Sequence, residues 1–156
     1  DIFPHIRQSL PGIRVLIIGE NPPEEILAFA GKDVIFLGHV DDLRQYLQRC
    51  RIAIAPLRYG SGLKGKIIQS MSNGLPLVTT AVGAEGAFLR DGENALIADD
   101  AQGFARSVAR LYQNQELWEN VSAGSSETVQ EHFSKSSWQE ELSRVIEVSG
   151  PADKRH

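Results

Sequence analysis

A parallel, doubly wound α/β domain, Rossmann-like in plan, is the fold this chain predicts, and three observations predict it. Runs of apolar, largely β-branched residues recur at 13–19, 33–38, 52–56 and 76–80 with almost no polar alternation, the pattern of strands covered on both faces. Segments with helical spacing fill the intervals, and the connections between them are short. Strands alternating with helices through short loops favour parallel strands joined by right-handed crossovers.

The elements follow in order. Residues 2–10 read as a helix, without a capping sequence, ahead of Pro11-Gly12 and the first strand at 13–19. Pro22-Pro23-Glu24-Glu25 begins a short helix through Phe29, with proline and carboxylates in the first turn where both fit. After the strand at 33–38, Asp41 or Asp42 caps a helix whose Leu43, Leu47 and Cys50 share one face. The strand at 52–56 leads into a glycine loop, then a helix from 64 to 72 that stops at Asn73-Gly74. Beyond the strand at 76–80, residues 82–87 read as a small-residue loop, 91–94 as a turn and 95–98 as an edge strand. Asp99-Asp100 caps a helix that turns Phe104, Val108 and Leu111 inward. Two helices follow, at 115–133 and at 137–148, the second with Trp138, Leu142 and Val145 on one stripe. Trp118, Trp138 and Phe133 fall on helical stripes and read as packing residues. The reading is one domain over 1–150 with a tail at 151–156, cut from a longer protein.

Composition removes several classes of function. With 156 residues the chain can build one core, and no apolar run is long enough to cross a bilayer. The net charge of -4, with both signs interspersed, argues against a general nucleic-acid surface. Cys50 is the only cysteine, so neither an intrachain disulfide nor a paired-cysteine metal frame is available. His5, His39, His132 and His156 are scattered without ligand spacing.

The loop Tyr59-Gly60-Ser61-Gly62-Leu63-Lys64-Gly65-Lys66 carries the chemistry. Its glycines, at 60, 62 and 65, let the main chain turn tightly, and the helix behind it offers unpaired N–H groups to an anion. Lys64 and Lys66 add cations at a helix start, where they oppose the dipole and so serve something other than helix stability. In parallel sheets ligands bind beyond the carboxyl ends of the strands. Three loops share that edge here: 38–42, 59–66 and 81–86.

The blocks Gly38-His39-Val40-Asp41-Asp42-Leu43, Ala55-Pro56-Leu57-Arg58-Tyr59-Gly60, residues 65–80, Gly83-Ala84-Glu85-Gly86 and Asp91-Gly92-Glu93-Asn94 resemble the donor-binding, C-terminal half of a GT-B fold, group-1, retaining glycosyltransferase. The likeness runs from Ile13 to the Trp138 segment. It implies a nucleotide-sugar, such as a UDP- or GDP-sugar, as substrate with no separate cofactor, and an N-terminal acceptor-binding domain outside this chain. It implies that Gly38, His39 and Val40, with Leu43, line the base. It implies that Gly60, Ser61, Gly62 and the Lys64/Lys66 helix start hold the diphosphate and face the sugar, and that Gln69 meets the ribose. Lys66, then Lys64, would offset charge on the departing diphosphate, and Ser61 stands at the catalytic loop position. Glu85, facing the same edge, would touch the sugar or the acceptor side. With no DxD-type pair beside the loop, a metal-independent reaction is expected.

Two residues depart from the family pattern, which places glutamates at the positions of Ser61 and Gln69. Glutamine still pairs with a diol, since its amide donates and its carbonyl accepts, but without a charge-assisted bond. The family also begins this domain with a strand that would precede Asp1 and lie centrally. Without it the strands at 13–19 and 52–56 would have open edges, and self-association is expected. A degenerate nucleotide-binding or scaffold domain, or a GT-B type nucleotide-sugar epimerase, are the rival readings. A cytoplasmic location is expected, the full-length protein touching the inner membrane face through its other half.

Overall fold

Strand β4 (Leu77–Thr79) holds the domain together, because its side chains alternate between two separate cores. A computed structural model describes residues 2–22, 24–60, 62 and 64–134; the predicted helix at 137–148 and the tail at 151–156 lie outside them. On one face of β4, Val78 joins Leu96, Phe104, Val108, Leu111 and Val121 with Ile6 and Leu10. On the other, Leu77 joins Ile67, Met71 and Ala87. Burying a side chain the size of Phe104 is worth roughly 1.5–3 kcal/mol relative to exposure, and the first cluster holds most of the large ones.

Helices on both sides supply these faces. Helix α1 (Ile2–Ser9) packs on α6 (Ala101–Gln113) over the first core, and α4 (Gly65–Ser72) covers the second. Helix α7 (Gln115–His132) packs on both α4 and α6. The inward set predicted for α6, Phe104, Val108 and Leu111, is buried, and Asp100 caps the helix by accepting from the Gly103 N–H at 2.8 Å. Trp118 packs as expected: its indole N–H donates to the Arg51 carbonyl at 2.7 Å, and the Arg51 guanidinium lies over the Trp118 and Tyr112 rings.

Among the described residues every strand pairing is parallel, as the sequence predicts, and the connections are helical. The difference lies in continuity. Strands β1 (Val15–Ile18) and β2 (Val34–Gly38) form one ladder, and β3 (Ala53–Ala55), β4 and β5 (Leu96–Ile97) form another. Among the described residues no ladder joins β1 to β3. All of β1 is only half-buried, and Ile54 of β3 is exposed, whereas β4 is fully buried.

Two short elements also differ from expectation. The helix predicted from Pro22 to Phe29 is limited to α2 (Glu24–Leu27), which leaves Ile26, Leu27 and Phe29 exposed. The loop predicted after the fourth strand begins as a helical turn, α5 (Ala81–Ala84). Thr80 starts it, accepting from the Gly83 N–H at 3.2 Å, a capping role that the run of small residues conceals.

Candidate functional site at the carboxyl edge

The carboxyl ends of β3 and β4 are stapled by two threonines. The Thr79 hydroxyl donates to the Ala55 carbonyl at 2.9 Å and the Thr80 hydroxyl to the Leu57 carbonyl at 2.6 Å. The Ala81 N–H reaches the Asp99 carboxylate at 2.8 Å, which ties the same edge to the end of β5. Gly83 completes the staple by being small: an added Cβ would collide with the Thr79 hydroxyl.

The glycine loop leaves β3 over this base. Gly60 and Gly62 hold φ of 134° and 76°, with no atom within 4 Å of where a Cβ would stand, so backbone conformation demands glycine there and packing does not. Gly65 is not in the left-handed region, so its predicted conformational role is corrected: it opens α4 as an ordinary first residue. Ser61 lies outside the described residues. Lys64 occupies the N-cap position of α4 without making a side-chain cap, and its carbonyl accepts from the Ile67 N–H at 2.9 Å to open the helix.

The two lysines differ in their surroundings. Lys66 is exposed, and its ammonium lies 3.7 Å from where a Cβ of Gly19 would be, at the carboxyl end of β1. Lys64 has a side chain only 11% exposed, and its ammonium reaches the Glu85 carbonyl at 3.4 Å and the Glu85 carboxylate at 3.8 Å. Gln69 is exposed on α4, off the face that buries Ile67, Ser70 and Met71.

The third loop comes to the same edge through β1 and β2. The Gly19 N–H donates to the Gly38 carbonyl at 3.0 Å, which brings the start of the 38–42 loop to the residue beside the Lys66 ammonium. Asp42, rather than Asp41, caps α3 (Leu43–Leu47) by accepting from the Arg44 N–H at 2.9 Å. That frees Asp41 to lie 3.6 Å from the His39 ring, whose other nitrogen is 3.0 Å from the Glu20 carboxylate. Val40 and Leu43 are half-buried beside it. Sequence reasoning missed Glu20; its position directly after the β1 run was the available signal.

A concave surface also lies elsewhere among the described residues. A half-open polar groove of about 320 Å³, lined by Arg90, Glu93, Asn120, Glu127 and Glu131 among others, lies at the amino end of β5. Its Arg90 and Glu93 pair with each other at 2.6 Å, and the buried Asn94 beneath them meets Phe88, Arg90, Ser125 and Thr128 through hydrogen bonds. Arg90, Glu93 and Asn94 are thus answered within the fold, and the groove is away from the strand ends where the lysines gather.

The fold and this edge define a class: a parallel α/β domain with three loops, an uncapped helix start and two lysines gathered beyond its strand ends. Residues 1–114 match the family described as glycosyl transferases group 1, and the chain belongs to that family. It is 29% identical over 134 residues to the lipopolysaccharide core biosynthesis glycosyltransferase LpsE of Rhizobium meliloti (strain 1021), covering 81% of this chain and 39% of that protein. The structure of Anabaena Alr3699/HepE in complex with UDP matches it with a TM-score of 0.82 at 14% identity, over 94% of this chain and 44% of the other. The C-terminal domain of the group-1 protein LpcC from Francisella tularensis matches with a TM-score of 0.70 at 17% identity, over 85% and 78%. The chain spans about two fifths of the length of the curated relatives it matches. Its α/β fold with parallel sheets is that of the C-terminal domain of GT-B glycosyltransferases.

Proposed function

We propose that the chain is the donor-binding half of a retaining glycosyltransferase that takes a sugar from a nucleotide diphosphate and passes it to a glycan or glycoconjugate held by an N-terminal domain. The observation that carries this reading is the exposed Lys66 ammonium, set beside Gly19, whose N–H is bonded to Gly38 at the start of the 38–42 loop. A diphosphate resting there would meet the N–H groups at the start of α4 and a mobile cation, which offset the charge that grows as the glycosidic bond breaks. The Gly38, His39 and Val40 backbone with Leu43 would take the base, Gly60, Ser61 and Gly62 the phosphates and sugar, and Gln69 the ribose. The reaction needs no metal in this scheme, since the sequence carries no DxD-type motif beside the loop and Asp42 is engaged as the cap of α3. The UDP held by the Anabaena protein and the lipopolysaccharide role in the name of LpsE favour a UDP-sugar and a polysaccharide pathway. Work on such acceptors fits a cytoplasmic enzyme that touches the inner membrane face.

The half-buried β1 and the exposed Ile54 favour a further element of the proposal: an added parallel strand between β1 and β3, supplied by the longer protein or, in this chain alone, by self-association. By itself the chain would be inactive. A second reading, a nucleotide-binding domain without catalysis, is favoured by Ser61 and Gln69, which offer no carboxylate.

An NMR titration with UDP, GDP and ADP tests the donor site. Selective shifts of amides in 38–43 and 60–67 are expected, strongest with UDP. Silence of both loops, in this chain and in the full-length protein, overturns the reading. In the full-length enzyme, Lys66→Ala should lower turnover by roughly 10²-fold with the protein still folded; unchanged turnover removes Lys66 from the mechanism.

A further inference from the structure

We infer that Lys64 is a positioning residue: its ammonium straps the 81–86 loop to the start of α4, which leaves Lys66 as the cation presented to an anionic ligand. The inference begins with burial. Lys64 has a side chain only 11% exposed, and a lysine withdrawn from water needs compensating partners. Its partners among the described residues are the carbonyl and the carboxylate of Glu85, 21 positions away in sequence. A cation at the first turn of α4 also opposes that helix dipole, so the contact to Glu85 gives the lysine a reason to be there.

The loop it holds needs such a tie. Its base is anchored three times, by Thr80 to Leu57, by Ala81 to Asp99, and by the close fit of Gly83 on Thr79. Its tip turns at Glu85, the C-cap of α5, followed by Gly86 at φ 73°. Beyond the base, Ala87 is buried against Ile67 and Met71 just past the tip, and the polar contact that joins the tip itself to the start of α4 among the described residues is Lys64. The Glu85 carboxylate is 66% exposed, so it is the weaker limb, and the backbone carbonyl is the part a side-chain change at Glu85 leaves in place.

The roles expected of Lys64 and Glu85 as direct donor contacts therefore change, and the ligand half of this inference rests on the donor-site reading above. The test uses the full-length protein with UDP as probe. In the absence of ligand, Lys64→Met should raise hydrogen exchange across 81–87, Glu85→Gln should raise it less, and Lys66→Met should leave it unchanged. With UDP, Lys66→Met should weaken binding by about tenfold or more and remove much of its salt sensitivity. Lys64→Met should keep that salt sensitivity, and Lys64→Arg should restore the exchange pattern. The inference is overturned if Lys64→Met leaves exchange across 81–87 unchanged, or if it removes the salt sensitivity of UDP binding as Lys66→Met does. Should the wild-type protein bind no UDP, the donor reading fails, while the exchange arm still decides the strap.

Discussion

Gly83 shows how little freedom the carboxyl edge has. A glycine in a helical turn ordinarily gains up to about 1 kcal/mol on replacement by alanine. Here the new methyl would meet the Thr79 hydroxyl, whose residue is 0% exposed and whose bond to the Ala55 carbonyl would be lost. Stranding that hydroxyl and crowding the site together cost more than the propensity returns, so Gly83→Ala should destabilise by roughly 1–3 kcal/mol. Urea unfolding reads the difference, and an unchanged midpoint would contradict the packing argument. Asp100 gives a pH dependence of definite sign. The Gly103 N–H holds its carboxyl below the ordinary carboxylate value; desolvation opposes it, and Arg106 adds a lesser pull in the same direction as Gly103. A carboxylate lowered in the folded state stabilises above its unfolded pKa, about 3.9, and the benefit fades as pH falls through the folded value. Between about pH 5 and 3 the wild type should therefore lose stability that Asp100→Asn does not lose by this route; parallel losses in both would remove the cap from the acid response.

The elements divide by how completely they are enclosed. Strand β4 is buried throughout and has a partner on each side, while β1 is half-buried and pairs with β2 alone among the described residues. Amides of Leu77–Thr79 should exchange at least about tenfold more slowly than those of Val15–Ile18, since opening a shared strand approaches global unfolding; equal rates would mean that the two ladders open as one unit. Much of this was readable beforehand. The apolar runs marked the strands, Asp100 and Asn73-Gly74 marked helix ends, and the convergence of three loops followed from parallel strands having one carboxyl edge. The division of the sheet was not readable, because runs at 13–19 and 52–56 look alike whether or not a neighbour is present. The α5 turn was hidden because its cap, Thr80, sits inside a strand run. The Lys64–Glu85 contact depends on where two loops meet, which no local pattern encodes.

For the molecule as a whole, β1 and β3 each have an edge without a partner strand among the described residues, and the proposed strand addition predicts behaviour in solution. Unpaired parallel edges bordered by Ile54 and the half-buried Leu16 and Ile18 favour strand addition from another chain. Sedimentation of the 156-residue chain should show mass rising with concentration; a single monomeric species up to the highest concentration would mean the edges are already satisfied. Closure on the far side of the domain has a signature of its own. The Phe88 ring lies flat on the His132 imidazole, 3.9 Å between centroids with 9° between planes, and joins the turn after α5 to the last residue of α7. Phe88 holds φ 53° to do so, an uncommon conformation for a bulky side chain. Protons on an imidazole stacked in this way sit in the shielding cone of the phenyl ring, so the carbon-bound protons of His132 belong well upfield of those of His5. Any loosening of α7 from that turn would return them to ordinary positions, which makes one aromatic resonance a gauge of whether the domain is closed.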